Sequence, residues 1–531
     1  MNVLALGLVF IPMILGIFLY LLDSKKSNRF VFIFQLIFSL GIILLIYKLH
    51  LYSNYSWVIG DLDKIAGIEI SLDNISLTFM GMTNIGIWII FLYSWDEKAE
   101  NTKFWFFIEF IQGALYMLFI VNDLFSMFVG FELVTILSSL MILLKKDSKS
   151  LKASLYYLLY NSVGMIFYLL GIILLYVKIG TLNIDLVHDA VEVLGYTPEL
   201  LLCYGLFITA FCLKSAVVPM SSWLPLAHSS AMTPISAFLS GLLVKIGVYG
   251  FIRIQMMMPI YDMNSFLLIV GIVTALFGIF MAIIDNDMKR ILAFSTISQM
   301  GLIIISLTGQ EIASSGTMLH LINHFFSKSL LFLIVGTIIT LTKERDIRKI
   351  KSLYQYSPML SFALIIAILS MTGAPLSAGA LSKFLVKKNY YDTNISAFFY
   401  LMNLGTMAVY FRFIKILMGD TIKRASLLFK QKLVFVMMSL VIIVSVAIEA
   451  IVIDTKLLHK WLNFGNIISE LGIYFLFLII IAIGYRKLKL SHRAIVRYIR
   501  SRKLTFPEAT GAVIFFWFMI IVQVYYSVKL K

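Results

Sequence analysis

Apolar runs of roughly 20 residues recur along the whole chain, and each is long enough to cross a bilayer as a helix. The first, VLALGLVFIPMILGIFLYLL at 3–22, sets the pattern. The runs are continuous, not alternating, so the strands of a membrane barrel are not expected. Spans are predicted at 3–22, 29–49, 74–94, 104–121, 124–144, 153–177, 199–219, 233–256, 265–284, 290–308, 313–341, 357–388, 396–418, 433–453, 467–485 and 511–528. A soluble chain of 531 residues would suggest several domains, but 60% hydrophobic residues and a mean hydropathy of +0.95 exclude that reading. The expected class is all-α: a polytopic membrane protein of about 14–16 transmembrane helices. Residues 1–22 lack a basic n-region and a small-residue cleavage site, so they read as a span and not as a cleaved signal.

The formal net charge is +16. In a soluble protein that would point to nucleic acid; here the loops account for it, and no nucleic-acid partner is expected. DSKKSNR at 23–29, KKDSKSLK at 145–152, KERDIRKIK at 343–351 and GDTIKRASLLFKQK at 419–432 fall on one side by parity. The acidic loops 50–73 and 178–198 fall on the other, and loop 95–103 carries mixed charge. The positive-inside rule therefore predicts a multi-pass protein of the cell (inner) membrane, with the N-terminus outside and the basic loops cytoplasmic. Cys203 and Cys212 share one apolar run without a CxxC pattern, which supports neither an iron–sulfur cluster nor a disulfide scaffold.

Charges at bilayer depth are costly and mark function by default. Glu132, Lys214, Lys245 and Lys383 lie inside spans, and His320, His324 and Lys328 recur every fourth residue on one helix face in HLINHFFSK. Asp123 and Arg253 stand nearer span ends, where a long cationic side chain can reach the surface; the same reading competes at Lys383. No carboxylate or third soft ligand adjoins the HxxxH pair, so no metal is expected. Pro219 follows Lys214 by five residues, and Pro375 precedes Lys383 by eight. Broken helices expose backbone groups at membrane depth, which is tolerated around a polar cavity, and paired breaks point to a transporter with inverted repeats.

These residue types suit proton transfer. Histidine titrates near neutrality, and burial can bring lysine toward it. A buried Glu–Lys pair is bistable, because separating the partners lets the lysine release its proton. The residues make a relay and not an acid–base enzyme site; no catalytic residue and no cofactor site is expected, with neither a Rossmann GxGxxG nor clustered cysteines present.

CLKSAVVPMSSWLPLAHSSAMTPISAFLSGLLVKIGVYGFIRI, DMKRILAFSTISQMGLIIISL, HLINHFFSKSLLFL and GAPLSAGALSKF, in that order, resemble the antiporter-like membrane subunits of respiratory complex I, Mrp-type sodium/proton antiporters and membrane-bound hydrogenases. The resemblance covers about residues 60–420. It implies that Glu132 pairs with Lys214 of a broken helix, that Lys245 is a central lysine, that His320, His324 and Lys328 connect the halves, and that Lys383 ends the path toward the far side. It further implies N-terminal helices at 1–103, inverted repeats at 104–256 and 257–418, and C-terminal helices at 419–531; within these, the helical spacing of Arg486, Lys489, Arg493, Arg497 and Arg500 predicts a short basic amphipathic helix at 486–505 on the cytoplasmic side. Leu226 replaces the usual carboxylate after WLP, Phe131 the Trp of WEL, and Met232 the proline before TP, which blurs the branch. The implied function is a proton-translocating subunit of a multi-subunit, energy-converting oxidoreductase complex, partnered by other membrane subunits and holding no redox centre itself. The alternative is a subunit of a Mrp-type monovalent cation/proton antiporter, moving sodium as well, or an ion-coupled partner in inorganic-carbon uptake.

Overall fold

The fold was analysed in a computed structural model, which describes residues 2–22, 27–52, 55–65, 67–95, 102–309, 315–388, 390, 395–419, 427–452, 458, 461–488 and 506–529. The helices are α1 Asn2–Leu22, α2 Ser27–Tyr52, α3 Asn74–Ser94, α4 Thr102–Ile120, α5 Leu124–Leu143, α6 Ser148–Ile179, α7 Ile184–Leu194, α8 Pro198–Lys214, α9 Trp223–Ser230, α10 Thr233–Gly241 and α11 Ile246–Met257. They continue as α12 Asn264–Ile284, α13 Met288–Leu307, α14 Ser315–Thr342, α15 Leu353–Tyr356, α16 Pro358–Thr372, α17 Ala378–Lys388, α18 Ser396–Lys415, α19 Phe429–Val452, α20 Phe464–Leu488 and α21 Phe506–Lys529. Among the described residues, 14 helical stretches are long and apolar enough to cross a membrane. The other two expected spans, 199–219 and 357–388, are the interrupted pairs α8–α9 and α16–α17. The chain is an all-α, multi-pass membrane protein.

Helix starts follow local chemistry. Asp73, Asp123 and Asp147 accept hydrogen bonds from the backbone N–H of Ser76, Ser126 and Ser150 and so cap α3, α5 and α6. Ser150 returns a bond to Asp147, a capping box that starts α6 five residues before the predicted 153. Thr197 and Ser357 cap α8 and α16, each followed by a proline in the first turn, where its missing N–H costs nothing.

Burial sorts the helices into layers. α10, α11, α13 and α14 are buried nearly all round and form the centre, with Phe238, Phe251, Ile303 and Leu331 buried. α1, α2, α6, α12 and α20 form the rim and present Ile14, Ile37, Ile166, Ile269 and Ile479 outward, as a lipid-facing surface requires.

Two elements were not foreseen. Loop 50–73 contains an antiparallel hairpin, β1 Tyr55–Val58 and β2 Glu69–Leu72, with Tyr55 opposite Leu72. Loop 178–198 contains α7, which buries Ile184, Val187 and Val191. A carboxylate joins them. Glu69, fully buried, lies 2.8 Å from the ammonium of Lys64 and accepts from Asn122 (3.0 Å) and Asn183 (2.7 Å). Burial opposes its charge, but Lys64 and the two amides hold the carboxyl below its usual value. Hairpin, α4–α5 corner and α7 thus form one polar lid, away from the basic loops. The predicted amphipathic helix at 486–505 lies almost wholly outside the described residues. α21 docks back on the first half of the chain: Tyr160 donates to the carbonyl of Ala509, and Phe167 packs on Trp517.

Candidate ion-translocation site

Three interruptions of helical structure organise the site, and each carries a lysine. The first follows Lys214, the last residue of α8. Ala216 adopts φ +53, and Pro219, lacking an N–H, stands in the break before α9. The Trp223 indole donates to the carbonyl of Leu213 (3.0 Å), which also accepts from the backbone N–H of Ala216 (3.0 Å). Lys214 is buried and donates to Thr135 Oγ1 (2.7 Å), whose own hydroxyl donates to the carbonyl of Phe131 (2.7 Å). Its ammonium also lies 5.6 Å from the Phe131 ring centre. Phe131 and Thr135 flank Glu132 on α5, so Lys214 meets α5 at the level of Glu132. The carboxylate itself is half-buried and takes a long contact from Ser162 Oγ (3.5 Å); among the described residues it forms no salt bridge with Lys214. The two expected partners stand side by side, with Thr135 holding the ammonium.

The second interruption was not legible in the sequence. Between α10 and α11 the chain tightens into a 3₁₀ turn, Leu243–Lys245. Lys245, completely buried, donates to the carbonyls of Ser240 (3.3 Å) and Gly241, which the turn leaves without helical partners. Gly247 lets α11 approach the first break: a Cβ there would collide with Ser215 Oγ.

The third lies between α16 and α17. Gly373, at φ +68, ends α16, and Pro375 and Leu376 (φ +64) complete the break. Lys383, on α17, reaches back to donate to the carbonyl of Met371 (2.9 Å) and to Asn403 Oδ1 (3.0 Å). It points into the protein, not to the surface. Arg253 does not reach the surface either. Its guanidinium grips Asp73 with two bonds (2.6 and 2.9 Å) and also donates to Ser76 and to the Tyr249 hydroxyl. Asp123 serves as the cap of α5.

The stripe on α14 connects these breaks. Lys328 donates to the carbonyl of Leu292 (3.0 Å) and to Ser295 Oγ, with the Tyr410 ring centre at 5.8 Å. The carbonyl of Leu292 also accepts from Thr296, whose hydroxyl bonds Ser240, the residue beneath Lys245. A polar thread therefore joins Lys245 to Lys328. At the other end, the ring nitrogens of His320 bond Ser382 and Gln299, each at 3.2 Å. Ser382 adjoins Lys383. His324 lies between, its ring centre 6.5 Å from that of His320, and neither of its nitrogens has a hydrogen-bond partner among the described residues.

Two cavities open among these helices, and the larger takes in Lys383. One, of about 300 Å³, is lined by Lys145, Ser229, Lys289, Arg345 and Gln431, at the basic-loop face. Lys289 is buried there and donates to the carbonyl of Ala231 (2.9 Å) and to Ser236 Oγ (3.0 Å). In sequence it looked like a loop charge next to Arg290. The other cavity, of about 640 Å³, is lined by Gln299, Lys383, Asn403, Glu470 and Tyr474 and extends to Lys387 and Lys388, at the far end of α17. Gln299 and Asn403 were also missed; a polar amide within an apolar run was the signal available.

Residues 121–403, more than half of the chain, match the family described as NADH:quinone oxidoreductase/Mrp antiporter, TM. A Na⁺/H⁺ antiporter subunit from Alkalihalophilus pseudofirmus is 28% identical over 72% of this chain and 80% of its own length. A NADH-quinone oxidoreductase subunit from Rickettsia felis is 26% identical over 74% and 83%. In fold, the chain is similar to one from the Mrp complex of Dietzia sp. DQ12-45-1b (TM-score 0.78, 18% identity, 88% of this chain and 99% of that one). It is also similar to a chain of the archaeal membrane-bound sulfane sulfur reductase (TM-score 0.75, 24% identity, 83% and 75%). The chain belongs to the NADH:quinone oxidoreductase/Mrp antiporter transmembrane family.

Proposed function

We propose that this chain is a proton-translocating, antiporter-like subunit of a multi-subunit membrane complex, passing protons along Glu132, Lys214, Lys245, Lys328, His324, His320 and Lys383. The observation that carries this reading is the line of buried cations held on carbonyls and hydroxyls at helix breaks, with a cavity at its Lys383 end. Every ammonium on the line is held by neutral oxygens. Such contacts accommodate a charged lysine and also tolerate its loss of a proton, which a tight salt bridge would resist. Glu132, adjacent to Lys214 yet not bonded to it, fits the role of a movable counter-charge.

Residues 104–256 and 257–418 each supply five crossing elements, of which the fourth is broken. An odd number of crossings brings the second run in from the opposite side, as inverted repeats require. The basic loops are taken as cytoplasmic, so the smaller cavity is the inner mouth and the larger one the outer. Two driving forces suit this machinery. In the first, a redox partner of the kind found with quinone oxidoreductases powers translocation. In the second, exchange runs on a sodium gradient, as the similarity to a Na⁺/H⁺ antiporter subunit suggests, while the similarity to a quinone oxidoreductase subunit supports the first.

The test is proton movement by vesicles holding the assembled complex. Lys214→Ala and Glu132→Ala should each slow it by about tenfold or more, a loss of about 1.4 kcal/mol or greater. Near-normal rates in both contradict the relay. Acidification driven by a redox substrate, or instead by an imposed sodium gradient, separates the two driving forces.

A further inference from the structure

A buried acid on α19 stands outside this relay and beside its histidine stripe. Glu449 lies on α19, beyond the residues matched by the family. It is 3% exposed, and neither carboxylate oxygen has a hydrogen-bond partner among the described residues. A buried carboxylate left in that condition is costly as an anion, and as a neutral acid it costs far less. Its neighbour across the helix interface is Asn323 of α14. Asn323 follows His320 by three residues and precedes His324 by one, and its amide donates to the carbonyl of Ala378 at the start of α17 (2.9 Å). Glu449 therefore stands where the stripe on α14 meets the third helix break.

The surroundings decide what such an acid can bind. One turn before it, Val446 packs into a cluster with Leu319, Leu381, Leu385 and Trp461. A sodium ion needs several oxygen ligands. A proton needs none. The groups around the stripe are otherwise basic: Lys245, Lys328, Lys383, His320 and His324. Glu449 and His324, both buried and both without a hydrogen-bond partner among the described residues, each adjoin Asn323.

We propose that Glu449 is a proton-binding residue of the translocation path, exchanging a proton with the His320–His324 stripe. In the exchange a carboxylic O–H bond breaks and an imidazole N–H bond forms. A neutral acid and a neutral imidazole become carboxylate and imidazolium, so the buried cluster gains no net charge. This rests on the relay reading above and extends it to the C-terminal helices.

The experiment is a pH-induced infrared difference spectrum of the purified, assembled complex, paired with proton translocation in vesicles. Glu449→Gln keeps the shape and removes the acid. It should delete one protonated-carboxyl component from the spectrum and slow translocation by about tenfold or more. Glu449→Asp keeps the acid and should retain both the band, displaced, and most of the transport. The proposal is overturned if Glu449→Gln translocates normally, if its spectrum matches that of the unsubstituted complex, or if Glu449→Asp assembles but is as inactive as Glu449→Gln. It is also overturned if the band disappears on adding sodium at constant pH, which would make the site a cation site. Lys214→Ala in the same membranes separates the two levels. Its loss of transport alongside a normal Glu449→Gln removes only this inference; normal transport in Lys214→Ala removes the relay, while the spectrum still reports on Glu449.

Discussion

At Lys383 a single side chain shows how the site differs from an ordinary membrane-buried cation. Its ammonium donates to the carbonyl of Met371 and to Asn403. An arginine guanidinium at this position would keep its charge, because it does not release its proton in proteins. Lys383→Arg is therefore expected to slow proton translocation by about tenfold or more with the amount of assembled complex unchanged. If the side chain only carried charge to the surface, arginine would serve as well, and an unimpaired Lys383→Arg would show that. The seven relay candidates were readable because each is an ionisable group inside an apolar run, a rare and costly placement. Their partners were not readable. The carbonyls of Ser240, Gly241, Leu292 and Met371 belong to the backbone and become acceptors only through the local geometry of breaks and packing. Lys289 stayed hidden because a buried lysine at a helix start reads like one in a basic loop.

Among the elements, α11 begins at Lys245 and is fastened near its other end by Arg253. The Arg253–Asp73 fork ties α11 to the cap of α3, and the Tyr249 hydroxyl carries the tie on to the carbonyl of Phe119 on α4. Removing one partner of a mostly buried, doubly bonded pair leaves the other charge stranded. Arg253→Ala should therefore cost about 3–5 kcal/mol of stability. Thermal melting of the purified complex measures this, and a loss below about 1 kcal/mol, the value of an exposed pair, would show that the fork does not hold α11. Arg253 had looked like a surface-seeking cation because its acid lies 180 residues away in sequence. The spans themselves were legible to within about five residues at either end, since hydropathy alone marks them. The hairpin and α7 were not, because a short strand pair in a loop gains its stability from tertiary partners: here Glu69, Asn122 and Asn183.

For the whole molecule, the arrangement is a lateral polar line through a centre of buried helices; one cavity takes in its Lys383 end, and another lies among Lys145, Lys289 and Arg345 beside the basic loops. Paired prolines in the sequence pointed to the two outer breaks. The middle one, at Leu243–Lys245, contains no proline and follows from how α10 and α11 pack. Lys245 is the most informative position, since it is completely buried, lines neither cavity and is bonded only to its own helix and through Ser240 to the thread toward Lys328. A substitution there leaves both mouths intact and interrupts the middle. The most direct measurement is the rate of proton translocation by vesicles containing the assembled complex with Lys245→Ala. The relay predicts a fall of about tenfold or more with assembly unchanged; a rate close to that of the unsubstituted complex would contradict it.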